Sequence, residues 1–124
     1  MSDTRTILIV DDDDDCRSII AELLEMSGYA VLSCGSAQTA VELVRQHHPA
    51  LVLADFVMPG ADGAWLIQSL RSEGGALADV PVVLTTGSSA GRQIAASLGI
   101  RALEKPFDMN RLLDVVRRTA RPSP

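Results

Sequence analysis

Five short, nearly uninterrupted apolar runs recur along this 124-residue chain, separated by longer stretches whose apolar residues fall at helical spacing. That alternation is the pattern of strand–helix–strand units, which build a parallel sheet with helices on its faces. The runs cover residues 6–10, 30–34, 50–54, 81–85 and 101–104. Their Val, Leu and Ile content suits strands covered on both sides, since a strand with one wet face alternates apolar with polar residues. The last run is bracketed by Arg101 and Glu104 and is expected at a sheet edge.

Helices are expected over 15–27, 37–47, 63–72, 89–98 and 109–119. The first places Ile19, Ile20, Leu23 and Leu24 on one face and stops at Gly28, which suits a left-handed cap. Asp14 is its expected N-cap, with Asp15 favoured at the positive end of the helix dipole. Ser36 is placed to cap the second helix, and Pro49 blocks its continuation. The third carries Leu66, Ile67 and Leu70 and ends in Gly74-Gly75; the last carries Leu112, Leu113, Val115 and Val116. The helix over 89–98 has only Ile94, Ala95 and Leu98 as a stripe, so it is expected to dock loosely and to move.

A chain of this length folds as one domain, here with a core over about 6–119 and a short tail over 120–124. A net charge of −5 and an aromatic content of 3% remove both the basic patch and the stacking platform that nucleic acids require, so no direct nucleic-acid binding is expected. No apolar run reaches the length of a membrane span, and the first residues do not form a signal peptide. Cys16 and Cys34 stand in no metal-ligand spacing and are expected as core thiols in a reducing, cytoplasmic setting.

The polar residues that follow the apolar runs carry the chemistry. Asp11-Asp12-Asp13 follows the first, Asp55 the third, Thr86 the fourth, and Lys105 lies in the turn after the fifth. Parallel strands would bring these ends to one edge, where open α/β sheets place their ligands. Clustered acids with one ammonium and one hydroxyl suit a divalent cation and a phosphoryl group. Mg2+ takes one or two carboxylates together with waters; Asp12 and Asp55 can supply direct oxygens and Asp11 can act through a water. Asp55, followed by a loop shaped by Pro59, Gly60 and Gly63, can act as a nucleophile and carry an aspartyl phosphate, with Lys105 and Thr86 neutralising and orienting it. The plainer role for Asp55 is capping a turn. A calcium loop over Asp11-x-Asp13-x-Asp15 would use Glu22 at its twelfth position, but Cys16 stands where that loop needs glycine. His47 and His48 suit a helix C-terminus, Trp65 and Phe107 suit packing, and Arg92 and Arg101 suit solvated charge.

In this arrangement the chain resembles the receiver domain of two-component response regulators from about Thr6 to Thr119. The resemblance rests on residues 7–13, on 51–55 with Met58-Pro59-Gly60, on Asp62-Gly63, on Thr86-Gly87 and on Lys105-Pro106-Phe107. It implies a flavodoxin-like, doubly wound three-layer α/β fold with a parallel sheet in the order 2-1-3-4-5. It also implies Asp55 as phosphoacceptor from a histidine kinase or phosphotransfer protein, and Mg2+ held by Asp12, Asp55 and the carbonyl of Val57, with Asp11 acting through water. Lys105 and Thr86 would contact the phosphoryl oxygens, and the output would be binding of a downstream protein, with a homodimer as a further possibility. Such a chain is a phosphoacceptor and not an enzyme with an external substrate, whether it stands alone or was excised from a larger protein.

Two positions depart from the family pattern. Ala102 stands where many receivers carry an aromatic switch residue, which leaves a phosphorylation-independent interaction module as the alternative. Val57, two residues past Asp55, has no polar group to orient an attacking water, so slow to moderate loss of phosphate is expected. The same position lacks the second acid that an aspartyl-phosphate phosphatase would use, against a hydrolase of external phosphoesters.

Overall fold

The computed structural model describes residues 5–121; the first four residues and, of the expected tail over 120–124, all but Ala120 and Arg121 lie outside that range. Five strands, β1 (Thr6–Val10), β2 (Ala30–Cys34), β3 (Leu51–Asp55), β4 (Val82–Thr86) and β5 (Arg101–Glu104), form one parallel sheet in the order β2-β1-β3-β4-β5. Helices α1 (Asp14–Met26), α2 (Ala37–His47), α3 (Gly63–Glu73), α4 (Gly75–Ala78), α5 (Ser89–Leu98) and α6 (Met109–Thr119) fill the connections. The flavodoxin-like order implied by the resemblance is therefore present, with β5 at the edge.

Side-chain alternation along the strands divides the core in two. Leu8, Val10, Val52, Ala54, Val82 and Leu84 point to one face and pack against α2, α3 and Ala95 of α5. Ile7, Ile9, Leu51, Leu53, Val83 and Leu103 point to the other, against Ile20 and Leu24 of α1 and the four-residue stripe of α6. Both faces are apolar because helices cover both, which is why the strands read as continuous hydrophobic runs. Each fully buried Leu or Ile contributes roughly 1.5–3 kcal/mol relative to an exposed one, so this double burial is the main force holding the strand ends in register.

Several local expectations are corrected. β3 and β4 run one residue later than expected, so Asp55 and Thr86 are the last residues of their strands. Asp13, not Asp14, caps α1: its carboxylate accepts from the amides of Asp15 at 3.0 Å and Cys16 at 3.1 Å. Asp14 instead pairs with Arg17. Ile19 is 59% exposed, because the stripe of α1 is centred on Ile20 and Leu24. Trp65 lies on the outer side of α3, 40% exposed, whereas Arg92 is exposed as expected and pairs at the surface with Glu104. The expected loop at Gly74-Gly75 holds the single turn α4. Ser36 caps α2 as expected, and His48 ends it in a left-handed conformation. Gly28 likewise adopts positive φ after α1.

Candidate functional site

Continuation of the ladder beyond the strands places the polar side chains. The amide of Asp11 donates to Cys34 O at 3.1 Å, that of Phe56 to Thr85 O at 2.9 Å and that of Lys105 to Thr86 O at 2.8 Å. The first residue past each of β1, β3 and β5 is thus still held by its neighbour. The register pairs Asp55 with Thr85, so Thr86 sits one residue further toward the rim.

At that rim the structure brings together Asp11, Asp12, Asp55, Val57, Thr86 and Lys105 around an open cavity of about 720 Å³. Asp11 is almost fully buried, and its Oδ1 accepts from the amide of Asp13 at 2.9 Å, which fixes the carboxylate by a two-residue turn. Arg17 holds the carbonyl of Asp11 at 2.7 Å from behind. Asp12 is exposed at the mouth. Asp55 accepts from Lys105 Nζ at 3.0 Å through one oxygen and from the amide of Val57 at 3.3 Å through the other. Lys105 Nζ also lies 3.7 Å from Asp11 Oδ2. The run of five acids is divided by role: Asp11 and Asp12 join Asp55 in the possible cation site, Asp13 lines the cavity but caps α1, and Asp14 and Asp15 lie in the helix's first turn. With Asp13 committed to the cap, β1 before it and Glu22 exposed on α1, the calcium-loop alternative is excluded.

The electrostatics follow from that packing. Burial raises the proton affinity of Asp55 above the ordinary carboxylate value; Lys105 opposes it, and Asp11 adds to it. Burial pulls Lys105 the other way, but its hydrogen bond and attraction to Asp55, with the charge of Asp11, leave its pKa raised. Lys105→Met will therefore raise the Asp55 pKa further. A carboxyl carbon NMR titration reads this directly, and a fall would show that Lys105 is not the charge that counters burial.

The donor set fits a hard divalent cation. Asp11, Asp12 and Asp55 each offer an oxygen, all within 4.8 Å of one another, and this is the group of such residues found among the described residues. His47 and His48 join no metal group there.

Three neighbours take places at the site that the sequence did not assign to them. Cys16 lies at the rim and is only half-buried; burial, then Asp11, pushes its thiol up to about 11, so it is protonated and unreactive at neutral pH. Cys34 is a buried core thiol as expected. Gly63 begins α3 so close to β3 that a Cβ there would lie 2.8 Å from Asp55 O and 2.5 Å from Leu84 Cδ2. Its place after Asp62, the cap of α3, is the local signal for it; the contact itself is non-local. Ser88 bonds the Thr86 hydroxyl.

A doubly wound sheet whose C-terminal edge gathers three carboxylates, a lysine and a hydroxyl has the architecture of a receiver-type signalling domain. The model for the response regulator receiver domain matches residues 7–117, and this chain belongs to that family. It is 34% identical to the phosphate regulon transcriptional regulatory protein PhoB of Pseudomonas aeruginosa, covering 93% of this chain and 53% of that protein. It is 36% identical to response regulator Rre1 of Synechocystis, covering 94% and 52%. The chain spans about half the length of these curated relatives. Among solved structures, the receiver domain of NtrX from Brucella abortus superposes with a TM-score of 0.80 at 30% identity, covering 90% of this chain and 95% of that one. The chemotaxis protein CheY4 of Vibrio cholerae shares the fold at a TM-score of 0.84 and 23% identity, covering 93% and 98%. Receiver domains are signalling domains that interact with histidine kinases and downstream effectors and bind Mg2+ at clustered acids. No helix among the described residues is long and apolar enough to cross a membrane.

Proposed function

We propose that Asp55 takes a phosphoryl group from a phosphohistidine on a sensor kinase or phosphotransfer protein, and that the modified pocket changes which protein binds this chain. One observation carries the proposal: Lys105 Nζ stands 3.0 Å from Asp55 and 3.7 Å from Asp11, beside a third acid that completes a cation-sized oxygen cluster. In the transfer, an Asp55 carboxylate oxygen bonds to phosphorus as the donor's N–P bond breaks, and the departing imidazole nitrogen keeps the electron pair and gains a proton. Such a reaction asks mainly for positioning and charge neutralisation. Lys105 would meet one phosphoryl oxygen and the Thr86 hydroxyl another. Asp12, Asp55 and the carbonyl of Val57 would hold Mg2+ directly, with Asp11 acting through water. Bound there, the ion supplies positive charge to the phosphoryl oxygens. The Val57 side chain is apolar and 68% exposed at the cavity mouth, so no polar group at this position orients water, and the phosphorylated form is expected to decay slowly to moderately.

We read the chain as one receiver unit over 1–124, acting in the cytoplasm through protein partners, without nucleic-acid contact of its own. Incubation with phosphoramidate, a small N–P donor, tests the reaction without a cognate kinase. Intact mass should show one added phosphoryl group with Mg2+ and at least about tenfold less product with a chelator or in Asp12→Ala. Equal uptake in all three samples would refute cation-assisted transfer.

A further inference from the structure

Thr86 lines the same cavity as Asp55 and Lys105, yet its hydroxyl is engaged elsewhere. It accepts from the amide of Ser88 at 3.1 Å and lies 3.3 Å from Ser88 Oγ. Ser88 is itself the N-cap of α5, its Oγ accepting from the amide of Gly91 at 3.1 Å. Gly91 is buried directly against Thr86: a Cβ built there would overlap Thr86 Oγ1 and lie 2.6 Å from its Cβ and 3.0 Å from its Cγ2. The hydroxyl therefore rests in a space that exists because residue 91 has no side chain. Glycine is a poor helix former, and the first turn of α5 would be better served by alanine on propensity alone. The close approach to Thr86 is what requires it.

We propose that Ser88 and Gly91 are positioning residues that form a resting seat for the Thr86 hydroxyl, in competition with the phosphoryl group on Asp55. The inference rests on the phosphoacceptor reading and adds how the signal leaves the site. When Thr86 bonds a phosphoryl oxygen, the Ser88 amide loses its acceptor, and the capped first turn of α5 is the element released. Ala102 on β5 carries only a methyl group, packed at the margin of the core, so no ring at that position takes part. The readout runs through the cap of α5 instead.

Beryllium trifluoride, a tetrahedral stand-in for the phosphoryl group, is the probe, titrated with Mg2+ by calorimetry. Gly91→Ala crowds Thr86 Cβ as well as its hydroxyl and will cost stability, which urea denaturation reads separately; per folded molecule it denies the hydroxyl its seat and should bind the probe about fivefold tighter than wild type, the range of one competing hydrogen bond. In a Thr86→Val background, which keeps the shape and removes the hydroxyl, Gly91→Ala should change the affinity by less than about twofold. Equal affinity of Gly91→Ala and wild type, or the same gain in the Thr86→Val background, would overturn the seat. Hydrogen exchange of the wild-type chain gives a reading independent of any variant. The Ser88 amide should exchange about tenfold faster with the probe bound, and unchanged protection would overturn the proposal. Failure of wild type to bind the probe at all would instead remove the phosphoacceptor reading beneath it.

Discussion

Asp55→Asn will accept no phosphoryl group from any donor, and in buffer free of divalent cations it will melt higher than the wild-type chain. The first result follows from chemistry, since an amide is not the nucleophile that a carboxylate is. The second follows from burial. The folded pKa of Asp55 lies above the reference value of 3.8, chiefly through burial and with help from Asp11. The folded chain thus holds that proton more tightly than the unfolded one. The resulting stability is full below pH 3.8 and is lost as the pH rises through the folded value. At neutral pH the ionised Asp55 is a net cost that asparagine removes, while Lys105 keeps Asp11 as a partner. A rise of about 2–5 °C is expected for a domain of this size, read by circular dichroism with a chelator present. A lower melting temperature would mean that the Lys105 pair outweighs burial. Added Mg2+ should narrow the gap by stabilising wild type alone.

Gly63→Ala will damage the fold and the site together. The added methyl would stand 2.5 Å from Leu84 Cδ2 and 2.8 Å from the carbonyl of Asp55, and Leu84 is fully buried. One neighbour is backbone and the other is a core side chain, so neither yields cheaply. Overpacking of this kind costs about 1–3 kcal/mol, which urea denaturation resolves easily. Because the crowded carbonyl belongs to the phosphoacceptor itself, relief by moving the end of β3 shifts the carboxylate relative to Lys105. Phosphoryl uptake per folded molecule should therefore fall too. Unchanged stability and uptake would show that α3 slides away from β3 without consequence.

Much of this architecture was legible in the sequence because it rests on periodicity. Runs such as Ile7 to Val10 and Leu51 to Ala54 are buried on both faces, and two-sided burial leaves an unbroken apolar signal. The strand ends were less legible: backbone ladders extend through Asp55 and Thr86 regardless of side-chain polarity, so hydrophobicity stops one residue early. The site's inventory was readable, since Asp11, Asp12, Asp55, Thr86 and Lys105 all follow strand-like runs. Its support was not. Gly63 against Asp55 and Gly91 against Thr86 are close approaches between elements, and no local pattern announces which glycine a neighbour requires. Ile19 shows the converse error: α1 is apolar over more of its circumference than the sheet covers, so the stripe alone overstates the core. Competition among five consecutive acids hid the true cap, which went to Asp13 because its carboxylate reaches two amides of the first turn.

Borohydride trapping asks at the atom itself whether one carboxylate, that of Asp55, carries the phosphoryl group. Wild-type protein would be incubated with acetyl phosphate and Mg2+, reduced, digested and sequenced by mass spectrometry, since reduction converts an aspartyl phosphate to homoserine. Homoserine replacing Asp55, and no other aspartate, is the predicted result. An intact Asp55 in a folded chain, or homoserine in place of Asp11 or Asp12, would show that Asp55 is not the phosphoacceptor.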